Sequence, residues 1–197
     1  MSNNLLKGKR GIIFGALNDM SIAWKVAERA QEEGATFTLT NAPIAMRMGA
    51  INDLSEKTNS EVIPADATSV EDLKHLFEKS QEILGGKVDF VLHSIGMSPN
   101  VRKKKPYTGL NYEWYKQTLD VSAMSLHKTL QVAYDMDALN NWGSVLALTY
   151  IAAQRIFPDY NDMADAKSLL ESITRSCLLY TSPSPRDGTS SRMPSSA

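Results

Sequence analysis

Tyr160 and Lys167 stand seven residues apart. Seven residues is close to two α-helical turns, so both side chains can share one face. A phenol beside an ammonium has its phenolate form favoured. Such a phenol can give a hydrogen bond or a proton to an oxygen on which charge develops. The lysine can also hold a ribose hydroxyl. Tyr150 brings a second phenol into the same stretch, YIAAQRIFPDYNDMADAK. On spacing alone, a surface tyrosine and lysine on an amphipathic helix explain the pair equally well.

Further candidates stand where apolar runs end. Gly15 follows RGIIF, where a glycine lets a ligand approach the backbone. Ser21 and Ile22 open the next helical pattern and offer backbone N–H groups to a pyrophosphate. The stretch GALNDMSIA lacks the G-x-G-x-x-G spacing, so an ordinary strand–turn–helix with a serine cap competes with that reading. Ala42 follows TFTLT, where dinucleotide enzymes place an acid for ribose or an arginine for a 2′-phosphate. Neither is adjacent, and the missing basic residue favours NADH over NADPH. Asp66 and Ala67 follow the run at 62–65; the acid can take the adenine amino group or cap the following turn. His93, Ser94, Ile95, Gly96, Met97 and Ser98 follow VDFVL. His93 has no acid nearby and reads as a packed or cofactor-flanking residue. His75 and His127 have no ligand spacing, and no metal site is expected. The run Arg102-Lys103-Lys104-Lys105 is a solvated face or a docking patch for an acidic carrier.

These residues need elements to position them. Strands are expected at Arg10–Phe14, Thr36–Thr40, Val62–Ala65, Val88–Ile95 and Ser144–Thr149. Helices are expected after Ser21, from Pro43 through Leu54, from Ser69 to about Leu84, from about Tyr112 to Tyr134, and over ADAKSLLESITR. Ser69 and Asp72 have capping-box spacing, and Gly34 closes the first helix. Strands alternating with helical crossovers predict an α/β, doubly wound parallel sheet of Rossmann type.

The chain has 197 residues, one ordinary α/β domain. Lys+Arg 21 against Asp+Glu 22 argues against a nucleic-acid or anionic-membrane coat protein. Cys177 is the single cysteine, which excludes an internal disulfide framework. No apolar run reaches the roughly 18–20 residues that span a bilayer. The expectation is a soluble, cytoplasmic protein without nucleic acid or membrane insertion. The domain is expected to occupy 1–175. Residues 176–197 carry seven Ser, two Thr and three Pro without periodicity, and read as a disordered tail foreign to the domain.

The ordered set GKRGIIFGALNDMSIAW, PADAT, HSIGM and ALTYIAAQRIFPDYNDMADAK resembles the NADH-dependent enoyl-[acyl-carrier-protein] reductases, within the short-chain dehydrogenase/reductase superfamily. The resemblance covers about Leu6 to Arg175. The wider superfamily uses Y-x-x-x-K, but Met163 stands four before Lys167; the enoyl reductases show the spacing seen here instead. By resemblance, Gly15, Ser21 and Ile22 line the pyrophosphate and ribose, Ala42 the adenosine ribose, Asp66 and Ala67 adenine, and Ile95 the nicotinamide-side ribose. Ser98 would contact substrate. Tyr160 would be the principal acid and oxyanion donor, Tyr150 a second active-site tyrosine, and Lys167 the ribose clamp. The implied reaction is NADH-dependent reduction of a trans-2-enoyl thioester held on acyl carrier protein, by a homotetramer when full length. A carbonyl reductase on the same fold would need a tyrosine at 163. A non-catalytic dinucleotide-binding fragment is the other reading. Family members continue beyond Arg175 with a further strand and a substrate-covering segment. The resemblance therefore implies a sheet incomplete at its C-terminal edge, and a chain that is marginally stable and nearly inactive.

Overall fold

The computed structural model describes residues 3–47 and 50–181. The elements are β1 (Arg10–Phe14), α1 (Ile22–Glu32), β2 (Thr36–Thr40), α2 (Pro43–Met46), α3 (Ala50–Thr58), α4 (Val70–Leu84), β3 (Val88–His93), α5 (Pro99–Arg102), α6 (Tyr112–Leu119), α7 (Ser125–Asp135), β4 (Leu139–Ala147) and α8 (Asn161–Thr181). All strand pairs are parallel, in the order β2-β1-β3-β4. The chain leaves β1 toward β2 and later returns to β3 on its other side. The switch point, where such sheets bind ligands, therefore lies between β1 and β3.

Side-chain alternation along the strands builds one core on each face. Ile12, Phe14 and Val91 meet Leu73, Leu76 and Phe77 of α4 and Val132 of α7. Ile13, Phe37, Leu39 and Leu92 meet Ala23, Ala27 and Ala30 of α1 and Ile51 and Leu54 of α3. Small residues on α1 let that helix lie close to the sheet. Gly34 adopts φ +89° just beyond α1, where Ala35 N–H donates to the Ala30 carbonyl and closes a Schellman turn.

Several expected boundaries move. The strand at 62–65 is no full strand: only Leu39 and Val62 form a bridge. The segment still runs along β2, with Ile63 and Ala65 N–H donating to Leu39 and Asn41 carbonyls. Pro64 has no N–H to give, and its place on the outer side of an edge makes that tolerable. The helix expected from Pro43 through Leu54 is two helices, α2 and α3, with 48–49 outside the described residues. The helix expected from Tyr112 to Tyr134 is interrupted by a π-helical segment at Asp120–Met124.

β4 begins at Leu139, earlier than expected, because an irregularity separates the Val88–Leu139 pair from the regular pairing that starts at Phe90–Ser144. Trp142, at φ +65° and fully exposed, sits in that bulge. β4 also ends at Ala147, two residues short of the expected Thr149. β4 is the edge of the described sheet on that side. α8 continues through Thr181, six residues past the boundary expected at Arg175. The remainder of the expected tail, 182–197, lies outside the described residues.

Candidate active site

A groove of about 220 Å3 opens at the carboxyl end of β3 and β4, lined by Ser94, Ile95, Gly96, Leu148, Tyr160, Met163 and Lys167. Five of the candidates read from the sequence, Ser94, Ile95, Gly96, Tyr160 and Lys167, therefore converge. Tyr160 is not on the helix: it directly precedes α8, and Met163 N–H donates back to its carbonyl. Tyr150 packs beside it, ring centroids 4.8 Å apart, and Phe157 closes on Tyr150 at 5.2 Å.

The two groups do not activate each other as their spacing suggested. Among the described residues, Lys167 Nζ donates to the carbonyls of Leu148 (2.7 Å) and Ile95 (3.3 Å), not to the Tyr160 phenol. Burial pushes the Tyr160 phenol above its ordinary range, and Tyr150 adds to the shift. Tyr160 is thus held as a neutral donor rather than a phenolate. Burial also pulls the Lys167 ammonium down to about 8. An ammonium has three donors, so one remains for a hydroxyl entering the groove.

The opposite wall is the segment 93–98, which is braced from behind. Ser122, in the π-helical segment, accepts from Met97 N–H (2.9 Å) and donates to the Met97 carbonyl (3.1 Å). Ser125 lies 2.8 Å from His93 Nε2 and donates to the Val121 carbonyl. With that hydrogen committed, Ser125 Oγ accepts from His93, which fixes the Nε2–H tautomer. His93 is buried, its Nδ1 has no partner, and burial with the nearby Lys167 charge pulls its pKa to about 3. It stays neutral and packed, as the absence of a nearby acid suggested.

The β1–α1 turn reaches the same end of the sheet. Gly15 has φ +83°, and a Cβ there would lie 1.9 Å from the Ser94 carbonyl oxygen. Only glycine fits this contact across the switch point. Ser21 does not cap α1 with its side chain. Its hydroxyl instead donates to the Asn18 carbonyl (2.6 Å) and accepts from Leu17 N–H (3.2 Å), folding the turn on itself. The first two N–H groups of α1, of Ile22 and Ala23, have no intrahelical acceptor and no side-chain cap, and Ile22 is exposed. That arrangement fits a pyrophosphate.

Ala42 precedes α2, and its N–H is taken by the Asn41 side chain. Asp66 is exposed and accepts from Thr68 N–H and Oγ1, both at 2.8 Å, so it caps its own turn. Ala67 is buried next to it. Both stand at the same sheet end as the groove, since Ala65 pairs with Asn41.

Ser98 departs from expectation. It is buried, caps α5 by accepting from Val101 N–H, and donates to Asp162 Oδ1 at 2.7 Å. Its hydroxyl is committed to Asp162 and Val101, and Ser98 does not line the groove. The reason is Asp162, which sequence reading missed. This fully buried carboxylate also accepts from Asn100 Nδ2 (2.9 Å) and Thr118 Oγ1 (2.8 Å). Its signal was legible: Asp162 shares the buried stripe of α8 with Ala166 and Leu170, a place for a charge only if it is paired or bonded.

The family model described as Enoyl-(Acyl carrier protein) reductase matches residues 15–182. The NADH enoyl-[acyl-carrier-protein] reductase FabI of Rickettsia bellii is 33% identical over 178 residues, covering 89% of this chain and 66% of the relative. Enoyl-[acyl-carrier-protein] reductase [NADH] 1 of Rhizobium meliloti is 32% identical over 175 residues, covering 88% and 63%. The chain thus spans slightly under two thirds of the length of these curated relatives. The crystal structure of FabI from Alistipes finegoldii superposes with a TM-score of 0.88 at 63% identity, covering 90% of this chain and 68% of that one. The FabI–NADH complex from the same organism gives the same score and identity, covering 62% of that chain.

Proposed function

The chain belongs to the enoyl-(acyl carrier protein) reductase family, and from that premise we propose that it reduces trans-2-enoyl thioesters with NADH in fatty acid synthesis. The observation that carries the reading is the convergence of Tyr160, Lys167 and Ile95 on one groove beside the switch point. Met163 lines that groove where a Y-x-x-x-K carbonyl reductase would present its tyrosine, which speaks against the carbonyl reductase.

The residues fit a dinucleotide. The uncapped start of α1 would take the pyrophosphate, and the carboxyl ends of β2 and the 61–65 segment, with Ala42, Asp66 and Ala67, the adenosine end. The free donor of Lys167 and the Ile95 backbone would take the nicotinamide ribose. NADH supplies a hydride when bound there. Tyr160 then acts on the substrate. As the β-carbon is reduced, negative charge gathers on the thioester oxygen, and the neutral phenol of Tyr160 donates to it. A proton reaching the α-carbon completes the saturated thioester. The raised pKa of Tyr160 suits a group that must keep its hydrogen until that charge forms. Tyr150 and Phe157 hold the ring in place.

The thioester carrier is an acyl carrier protein. No helix of the described residues is long and apolar enough to cross a membrane; the cytoplasmic setting is proposed from the family alone. The exposed Tyr112 of α6, Met124 of the π-helical segment and Tyr134 of α7 support an assembly of copies, a homotetramer when the protein has its relatives' full length. The test is NADH binding by this chain and crotonyl-thioester turnover by the protein at its relatives' full length. Tyr160→Phe should keep NADH affinity and lose turnover by roughly 100- to 1,000-fold, the scale of one lost oxyanion donor. An unchanged rate in that variant refutes the assignment.

A further inference from the structure

The run Arg102–Lys105 is not absorbed by the groove, yet it is tied to it. We propose that this run is the docking rim for the acidic body of the carrier protein; the inference rests on the function proposed above. All four side chains are exposed, and none lies within ion-pair distance of a carboxylate among the described residues. Lys7, Lys74 and Arg155 also lack an acidic partner among the described residues, but each stands singly, while Lys9, Lys25, Lys57, Lys79, Lys87, Lys116 and Lys128 are paired; only 102–105 brings four such charges together. The whole chain has a formal net charge of -1. Its overall field offers an acidic partner no attraction, so capture must come from a local cluster.

The cluster is also rigid. The N–H groups of Arg102, Lys103, Lys104 and Lys105 donate to the carbonyls of Ser98, Pro99, Val101 and Asn100 at 3.0–3.2 Å. Lys104 holds φ +51°, a conformation easier for glycine or asparagine than for lysine. The Lys103 ammonium lies 5.6 Å from the Trp114 ring centre, which fixes one charge against α6. A solvated loop needs none of this bracing. Finally, Asn161 Nδ2 donates to the Lys105 carbonyl at 2.6 Å, and Asn161 is the residue after Tyr160. A carrier seated on the rim would therefore rest beside the groove mouth, where its thioester arm must enter.

The experiment measures binding of a fluorescent acidic holo-acyl carrier protein to the purified 197-residue chain at low and high salt, with NADH binding read in parallel. The native chain should bind, more weakly as salt rises. Lys104→Glu/Lys105→Glu should weaken binding roughly tenfold at low salt, while the equal charge change Lys7→Glu/Lys74→Glu stays within about twofold. No binding by the native chain, equal losses in both variants, or equally tight binding of anionic vesicles or duplex DNA each overturns the proposal. Loss of NADH binding alone, with rim-dependent docking intact, overturns the reductase reading and leaves the rim standing.

Discussion

Replacing Asp162 with alanine is expected to destabilise the chain by about 3 kcal/mol, and the structure says why. Among the described residues Asp162 has no cation partner; it is held by three neutral donors, Ser98, Asn100 and Thr118. It also sits in the first turn of α8, where the helix dipole favours negative charge. Each lost bond is worth roughly 1 kcal/mol net, and more where a donor is stranded. Thr118 has one hydroxyl hydrogen, shared between Asp162 and the Trp114 carbonyl, and can turn it wholly to Trp114; Asn100 keeps one amide hydrogen on the Asn111 carbonyl, so the Ser98 hydroxyl hydrogen and the second Asn100 hydrogen lose their acceptor. Two buried donors left without an acceptor, at roughly 1–2 kcal/mol each, give about 3 kcal/mol, or about 6–12 °C in Tm for a chain of this size. Asp162→Asn keeps the shape and one acceptor, and should cost about 1 kcal/mol. Urea unfolding followed by circular dichroism measures both. An alanine variant within about 0.5 kcal/mol of the native midpoint would mean that the cluster is not what joins α5, α6 and α8.

Lys167 predicts a pH dependence. Its folded pKa of about 8 lies below its ordinary value of 10.5, so the unfolded chain binds more protons between them and folding stability rises from pH 8 to 10.5. Over the same window the ammonium disappears from the groove, so the NADH dissociation constant should rise past pH 8; Lys167→Met should bind weakly without that step, and an identical step in the variant would exclude Lys167 as its source. Gly15→Ala places a methyl 1.9 Å from the Ser94 oxygen at φ +83°. It should cost more than about 2 kcal/mol in urea unfolding and weaken NADH binding, because the clash is with backbone that cannot swing aside.

The strands were legible because buried parallel strands are continuous apolar runs, and RGIIF and TFTLT appear at the expected residues. The segment around Pro64 was over-read: apolar content marked it as a strand, but it makes only a bridge at the sheet edge. The π-helical segment had no local signal. It is explained by what Ser122 and Ser125 must reach, the Met97 backbone and His93, and those contacts are 25 and 32 residues away in sequence. The spacing marks Tyr160 and Lys167 as neighbours, and the structure sets both on one groove by a different route. Helical spacing predicts a shared face, but Tyr160 precedes the helix and meets Lys167 only because the turn before α8 folds over the groove. Ser98 was placed by resemblance alone, and its partner Asp162 could be anticipated only from a charge on an apolar stripe.

Burial acts on the two groove residues in opposite senses, and both senses serve one reaction. Taking a phenol out of water penalises its anion, so Tyr160 stays protonated. Taking an ammonium out of water penalises its cation, so Lys167 is brought to the edge of losing its charge. Two backbone carbonyls, of Ile95 and Leu148, resist that loss and aim the ammonium. Those carbonyls stand just beyond the ends of β3 (His93) and β4 (Ala147), where the sheet no longer pairs them. The positions of donor and clamp thus follow from the parallel topology: the sheet ends supply acceptors for the lysine, and the turn before α8, pinned by Asp162 from beneath, supplies the tyrosine.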